Sequence, residues 1–231
     1  MWILLAIVAF IVVVPIVAIP AMVFLSVKGM AGVEHSFRPA SAQDFPDDCR
    51  VAAQTDQWAS PKGFRYLGQY SMRMPDTVFI AAWQLGESPT FFCMYGVRHK
   101  YVYDYLSLLT PERSLTTSSS REGFTLPRPP GQYCQAFENT DFDTMWHRHQ
   151  ESLGYLQTAG GITPQPVNTS FEEAFTGAIA EQLRYVQTIP LWPIKGLKWY
   201  YVNRSRLSNK TIQEQHRSGL IQLPADPHWR E

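Results

Sequence analysis

The sequence predicts an α+β domain carried behind a single N-terminal transmembrane helix, and three observations predict it. An uncharged run, "WILLAIVAFIVVVPIVAIPAMVFL", extends from Trp2 to Leu25. Short aromatic and β-branched runs separated by turn residues fill positions 64 to 120. Beyond residue 140 the apolar spacing changes to three and four, the period of a helix. Strands first and helices afterwards argue an antiparallel meander of about five strands with two or more helices packed on it. The chain's 231 residues, 45% of them hydrophobic and 17% charged, suffice for one membrane segment and one domain with a proper core. The divisions expected are a transmembrane helix over 1–28, a tether over 29–60, the α+β domain over 61–188 and a basic aromatic segment over 189–231.

As a helix, Trp2 to Leu25 would reach roughly 36 Å, enough to cross a hydrocarbon core of about 30 Å with some tilt. Pro15 and Pro20 are tolerated in membrane helices as kinks. A cleaved signal peptide does not fit, because no Lys or Arg precedes the run and the run exceeds the usual ~7 to 15 residues. Lys28 and Arg38 flank it on the C-terminal side, which by the positive-inside bias puts the N-terminus outside and the domain in the cytoplasm.

Residues 29–60 carry Gly29, Gly32, Pro39, Pro46 and the acidic "DFPDD" with little periodicity, the composition of a tether. Five strands are expected at "FRYLGQYSM", "TVFIAAWQL", "TFFCMYGV", "KYVYDYLSLL" and "RSLTTSSS". "VFIAAWQL" is apolar on both faces, so it should be a central strand covered on both sides. A Pro-rich loop, "GFTLPRPPGQY", follows. In "DFDTMWHRHQESLGYL" the residues Phe142, Met145, Trp146, His149, Leu153 and Leu156 form one helical stripe. A second helix from about Phe171 to Gln187 opens on Ser170 and Glu173, an S-x-x-E capping box.

The formal charge is zero, with 20 basic and 20 acidic residues, and nothing global points to nucleic acid. The distribution is uneven: residues 1–194 hold 13 Lys and Arg against 17 Asp and Glu, a balance of −4, and residues 195–231 hold 7 against 3, a balance of +4. Cys49, Cys93 and Cys134 are odd in number and form no C-x-x-C pair, which argues for free thiols over a disulfide framework or zinc site.

No catalytic residue, cofactor or metal site is expected from the motifs. His147 and His149 lie two apart on a helix, so their side chains point roughly 200° from each other and cannot share a metal. His149 falls in the apolar stripe, as a core histidine with one hydrogen-bond partner; His147 should face solvent. A serine nucleophile among Ser118, Ser119 and Ser120 would need His147 or His149 within hydrogen-bond reach, and no G-x-S-x-G elbow accompanies the run. The Asn-x-Ser/Thr tripeptides at Asn168, Asn203 and Asn209 matter only on a secretory route.

Two aromatic groups remain. Tyr101, Tyr103 and Tyr105 share one strand face by alternation, as a wall for an apolar ligand or as packing under a helix. "LWPIKGLKWYYVNRSR", residues 191–206, is too short and too charged to span a membrane. Its Trp192, Lys195, Lys198, Trp199, Tyr200, Arg204 and Arg206 have the composition of a membrane interface, where amphipathic rings sit at headgroup level and cations meet anionic lipid. The competing reading makes Trp192 and Trp199 caps on the core with the cations facing water.

The order "FRYLGQY", "LTTSSS", "PRPPGQYCQAF", "MWHRHQESL" and "LWPIKGLKWYY" resembles a loose group of uncharacterised bacterial proteins of planctomycete type, many of them membrane-anchored. The resemblance covers most of residues 60–202. It implies a bacterial inner-membrane setting and, the group having no assigned activity, supplies no catalytic residues. The function expected is that of a single-pass accessory or structural subunit of a membrane complex, with lipid and other membrane subunits as partners. The alternative is an anchored binding module for a lipid-like or apolar ligand.

Overall fold

Seven strands lie side by side in chain order: β1 (Arg38–Pro39), β2 (Phe64–Met74), β3 (Asp76–Leu85), β4 (Thr90–Val97), β5 (Lys100–Thr110), β6 (Arg113–Ser118) and β7 (Gln132–Ala136). The computed structural model describes residues 36–227 apart from 75, 98 and 164–168. The transmembrane helix expected over 1–28 lies outside the described residues. Among those described, no helix is long and apolar enough to cross a membrane.

All neighbouring strands pair antiparallel except β6 and β7, which are parallel. A parallel pair needs a crossover of about a dozen residues or more, and the Pro-rich loop between β6 and β7 provides it, with a 3-10 turn at Arg121–Phe124. β7 begins at Gln132, inside the last two residues of the expected loop, which therefore ends at Gly131; only five residues carry the strand, too few to show a period.

The central strand β3 is buried on both faces from Val78 to Trp83. Its Val78, Ile80 and Ala82 meet Phe91, Cys93 and Leu106 under helix α3 (Phe171–Thr188), with Phe171, Ala174 and Phe175 closing the layer. Phe79, Ala81 and Trp83 face the opposite side with Phe92, Met94 and Tyr105, under helices α1 (Pro46–Ala59) and α2 (Phe142–Thr158). The domain is therefore a sheet between helical layers. Each fully buried aliphatic or aromatic side chain contributes about 1.5–3 kcal/mol.

One residue lets β2 serve both layers. Gly68 has φ +152°, and the register with β3 shifts between Tyr66 and Gly68. The inserted residue reverses the phase of alternation. Phe64 consequently packs with the α1 and α2 layer, whereas Tyr70 and Met72, of the same parity, pack with α3.

The tether expected over 29–60 needs correction among its described residues: Arg38 and Pro39 pair with β2 as β1, and Phe37, Ala40 and Phe45 pack on the core. Residues 46–59 form α1, with Pro46 in the first turn beside Asp47 and Asp48. Proline at a helix start and acids in the first turn are both favourable there. Ala52, Thr55 and Ala59 bury on the sheet, and the Trp83 indole donates to Asp56 Oδ1 at 2.7 Å. The buried stripe is made of small residues, which left no hydrophobic period to read.

The two helices expected by period form at nearly the expected bounds. The Ser170 and Glu173 capping box closes reciprocally, Glu173 N–H donating to Ser170 Oγ at 3.2 Å and Ser170 N–H to Glu173 Oε2 at 3.1 Å. Beyond α3 the chain forms α4 (Trp192–Lys198), a π-helical turn (Trp199–Asn203), α5 (Arg204–Leu207) and α6 (Ile212–Arg217). The last part covers the free side of β7, where Asn209 N–H donates to Ala136 O at 2.8 Å and Gln215 Nε2 to Cys134 O at 2.9 Å.

Candidate functional site

The segment 191–206 is the candidate site. α3 ends at Thr188, and Leu191 turns the chain with φ +55°, a left-handed conformation that costs a non-glycine residue roughly 1–2 kcal/mol. α4 starts at once, and its Trp192 swings inward against Leu126, Leu183 and Val186, 8% exposed. Trp199 also turns inward, donating from Nε1 to Phe124 O at 2.9 Å. Leu207 buries beside Phe124, Cys134 and Ala136. Three inward anchors thus hold the segment on the crossover loop.

Between the anchors the side chains point outward. Of the six large hydrophobic residues exposed among those described, five lie within this segment: Leu191, Ile194, Tyr200, Tyr201 and Val202. Leu191 is 70% exposed and Ile194 63%. Lys195, Lys198 and Arg206 are exposed beside them, their side chains with no hydrogen bond or ion pair to another described residue. The surface combines apolar bulk with unpaired positive charge.

This divides the residues foreseen for membrane contact. Lys195, Lys198, Tyr200 and Arg206 face outward, while Trp192 and Trp199 are core caps. Arg204 is engaged internally: Nη2 meets Glu122 Oε1 at 2.7 Å, Nε donates to Arg121 O at 3.1 Å, and the guanidinium lies 4.9 Å from the Tyr200 ring centre. The two indoles turn inward because the crossover loop offers an apolar socket and a free carbonyl. Leu191, Ile194, Tyr201 and Val202 were missed, although they stand in the same quoted stretch; their exposure depends on which side the two Trp anchors take.

The tyrosine wall is not open. Tyr105 is fully buried and donates to Phe142 O at 3.2 Å, and Tyr103 packs edge-on to Phe142 at 4.5 Å. α1 and α2 fill that sheet face, so two of the three rings belong to the core. Tyr101 alone reaches a surface cleft of ≈ 400 Å³, with Asp47, Arg50, Val51, Gln54 and His99.

His147 is exposed and pairs with Glu151 at 3.2 Å. His149 is fully buried, its Nε2 2.9 Å from Ser107 Oγ and its Nδ1 2.8 Å from Thr117 Oγ1. It has two partners where one was expected. Burial holds the imidazole down to about 3, in its neutral form. Neither partner is one of the three serines at 118–120, and a sealed imidazole offers no approach to substrate. Thr117 continues the network to Gln135 Nε2 at 2.8 Å, and Gln135 Oε1 accepts from Ser152 at 2.8 Å.

On the other sheet face the carboxyl of Asp104 is pushed up to about 6 by burial, with the Ser118 hydroxyl and the Arg128 guanidinium opposing. Asp104 Oδ1 and Arg128 Nε are both shielded from solvent without a hydrogen-bond partner. The cysteines are free, Cys93 and Cys134 buried and Cys49 half-buried. Among the described residues no cluster of His, Cys, Asp and Glu has the makings of a metal site. Comparison with protein-family models, with curated proteins and with solved structures finds no match to this chain.

Proposed function

We propose that the protein is a single-pass, membrane-anchored accessory or structural subunit of a bacterial inner-membrane complex, working through contacts of its 191–206 surface with anionic lipid and with neighbouring subunits. The observation that carries this reading is the concentration of Leu191, Ile194, Tyr200, Tyr201 and Val202 with Lys195, Lys198 and Arg206 on one short segment. Apolar side chains held in water by firm internal anchors are a cost to a solitary domain and an asset at an interface. The left-handed backbone at Leu191 adds to that cost while presenting the side chain outward. Ammonium and guanidinium groups beside the apolar bulk suit anionic headgroups, at about 1 kcal/mol for each cation near such a surface. The uncharged run from Trp2 to Leu25 supplies the anchor.

The test is hydrogen exchange on the full chain in nanodiscs of anionic or zwitterionic lipid. Amides of 191–206 become more protected in the anionic discs, and the double variant Lys195→Glu, Lys198→Glu removes the difference. Equal exchange of this segment in both lipids and in detergent refutes the lipid contact.

A further inference from the structure

The geometry points to Tyr155 as a base-activated nucleophile, a site of covalent acylation by activated esters that is separate from the 191–206 surface. Three elements converge on it: Tyr155 stands on α2, His216 in the last turn of α6, and Asp226 in the turn that follows. The phenolic oxygen lies 2.7 Å from His216 Nδ1, and His216 Nε2 lies 3.1 Å from each carboxylate oxygen of Asp226. An ionised carboxylate only accepts, so the ring hydrogen sits on Nε2. Nδ1 is then an acceptor, and the Tyr155 hydroxyl donates to it. Asp226 is itself fixed, its Oδ2 accepting from Leu223 N–H at 2.7 Å, and that amide holds the carboxyl below the usual range. Hydroxyl, imidazole and carboxylate stand in the relation of nucleophile, base and orienting group.

One further observation distinguishes this group from the sealed His149 network. The His216 and Asp226 side chains are 23% and 27% exposed and Tyr155 is half-buried, so the relay lies at the surface.

The step balances without a cofactor. Tyr155 oxygen adds to the ester carbonyl carbon as its proton passes to His216 Nδ1. The carbon–oxygen bond to the leaving group then breaks, the leaving oxygen keeps the electron pair, and its proton comes back from His216. The products are O-acyl Tyr155 and the free alcohol or phenol. Acyl esters are the class favoured, since the Asp226 carboxylate beside the imidazole repels a polyanionic phosphoryl group and leaves a neutral carbonyl undisturbed.

The experiment treats the full chain in mild detergent with p-nitrophenyl acetate at neutral pH. Release of p-nitrophenolate and peptide mapping are read together, so that a stable ester and one that turns over are both seen. Tyr155 is expected to react at least about tenfold faster than Tyr200 and Tyr201, which are exposed internal standards. Tyr155→Phe removes the fast phase, and His216→Gln lowers it to the standards' rate with the circular dichroism unchanged. Should His216→Gln fail to fold, Asp226→Asn decides: without the carboxylate that orients it, the imidazole no longer holds the phenolic hydrogen and the fast phase falls at least about tenfold. Modification of Tyr155 no faster than of Tyr200 and Tyr201, or a fast phase unchanged in His216→Gln and in Asp226→Asn, shows the three residues to be a latch and overturns the proposal.

Discussion

A buried imidazole bonded at both nitrogens to hydroxyls has little to gain from a proton, and His149 shows what that means for the folded state. Its folded value of about 3 lies below the ordinary 6.5, so the unfolded chain binds the extra proton first. Stability is complete above the ordinary value and is lost as pH falls toward the folded one, by about 2 kcal/mol at pH 5. Asp104 works in the opposite sense. Its folded value of about 6 lies above the ordinary 3.8, so its contribution is present in acid and is lost as pH rises through 6. Urea midpoints measured across this range should therefore show His149→Gln with a flatter acid limb. Asp104→Asn should be more stable than the natural chain at pH 7, by about 3 kcal/mol, and steeper between pH 4 and 6. An unchanged acid limb in His149→Gln would show that the imidazole is not held neutral.

At the scale of elements, the inward and outward members of 191–206 separate packing from surface function. Trp192→Ala should cost about 3 kcal/mol, the range for a large aromatic lost from a core. Ile194→Ala should leave the unfolding midpoint within about 0.5 kcal/mol and reduce the protection in anionic nanodiscs. Equal destabilisation by both would mean that Ile194 is packed. Deleting Gly68 should abolish folding, because Tyr70 and Met72 would then point to the face that α1 and α2 already fill. The strands β2 to β6 and the helices α2 and α3 were legible in the sequence, since their residues repeat at two or at three and four with turn signals between. α1 was not, as Ala52, Thr55 and Ala59 are too small to mark a stripe, although Pro46, Asp47 and Asp48 announced a helix start. β7 hid behind prolines. The membrane-contact set was legible in composition and only half so in direction, because the sockets for Trp192 and Trp199 are built from Leu126 and Phe124 on a distant loop.

For the whole molecule, α3 relates the two ends of the proposed membrane contact. Phe37, the second described residue, packs on Phe171 at 6.2 Å and Phe175 at 5.4 Å, in the first turns of α3. The 191–206 surface starts just past the other end, about 27 Å along the helix axis. From Leu25 to Phe37 the chain can reach at most about 40 Å, so an anchored domain with α3 lying along the bilayer brings both ends to it. The side of the membrane is tested by Thr158→Cys in a Cys49→Ser background, with an impermeant thiol reagent on intact spheroplasts. No labelling until lysis is expected, and labelling of intact cells reverses the assignment. The cover over β7 matters for handling as well as for folding. Asn209 and Gln215 occupy carbonyls that would otherwise form an adhesive border, since an uncovered strand recruits other chains. A protease cut near Ser208 would turn a well-behaved particle into a seed for self-association, whereas a tag fused beyond residue 227 leaves that border closed.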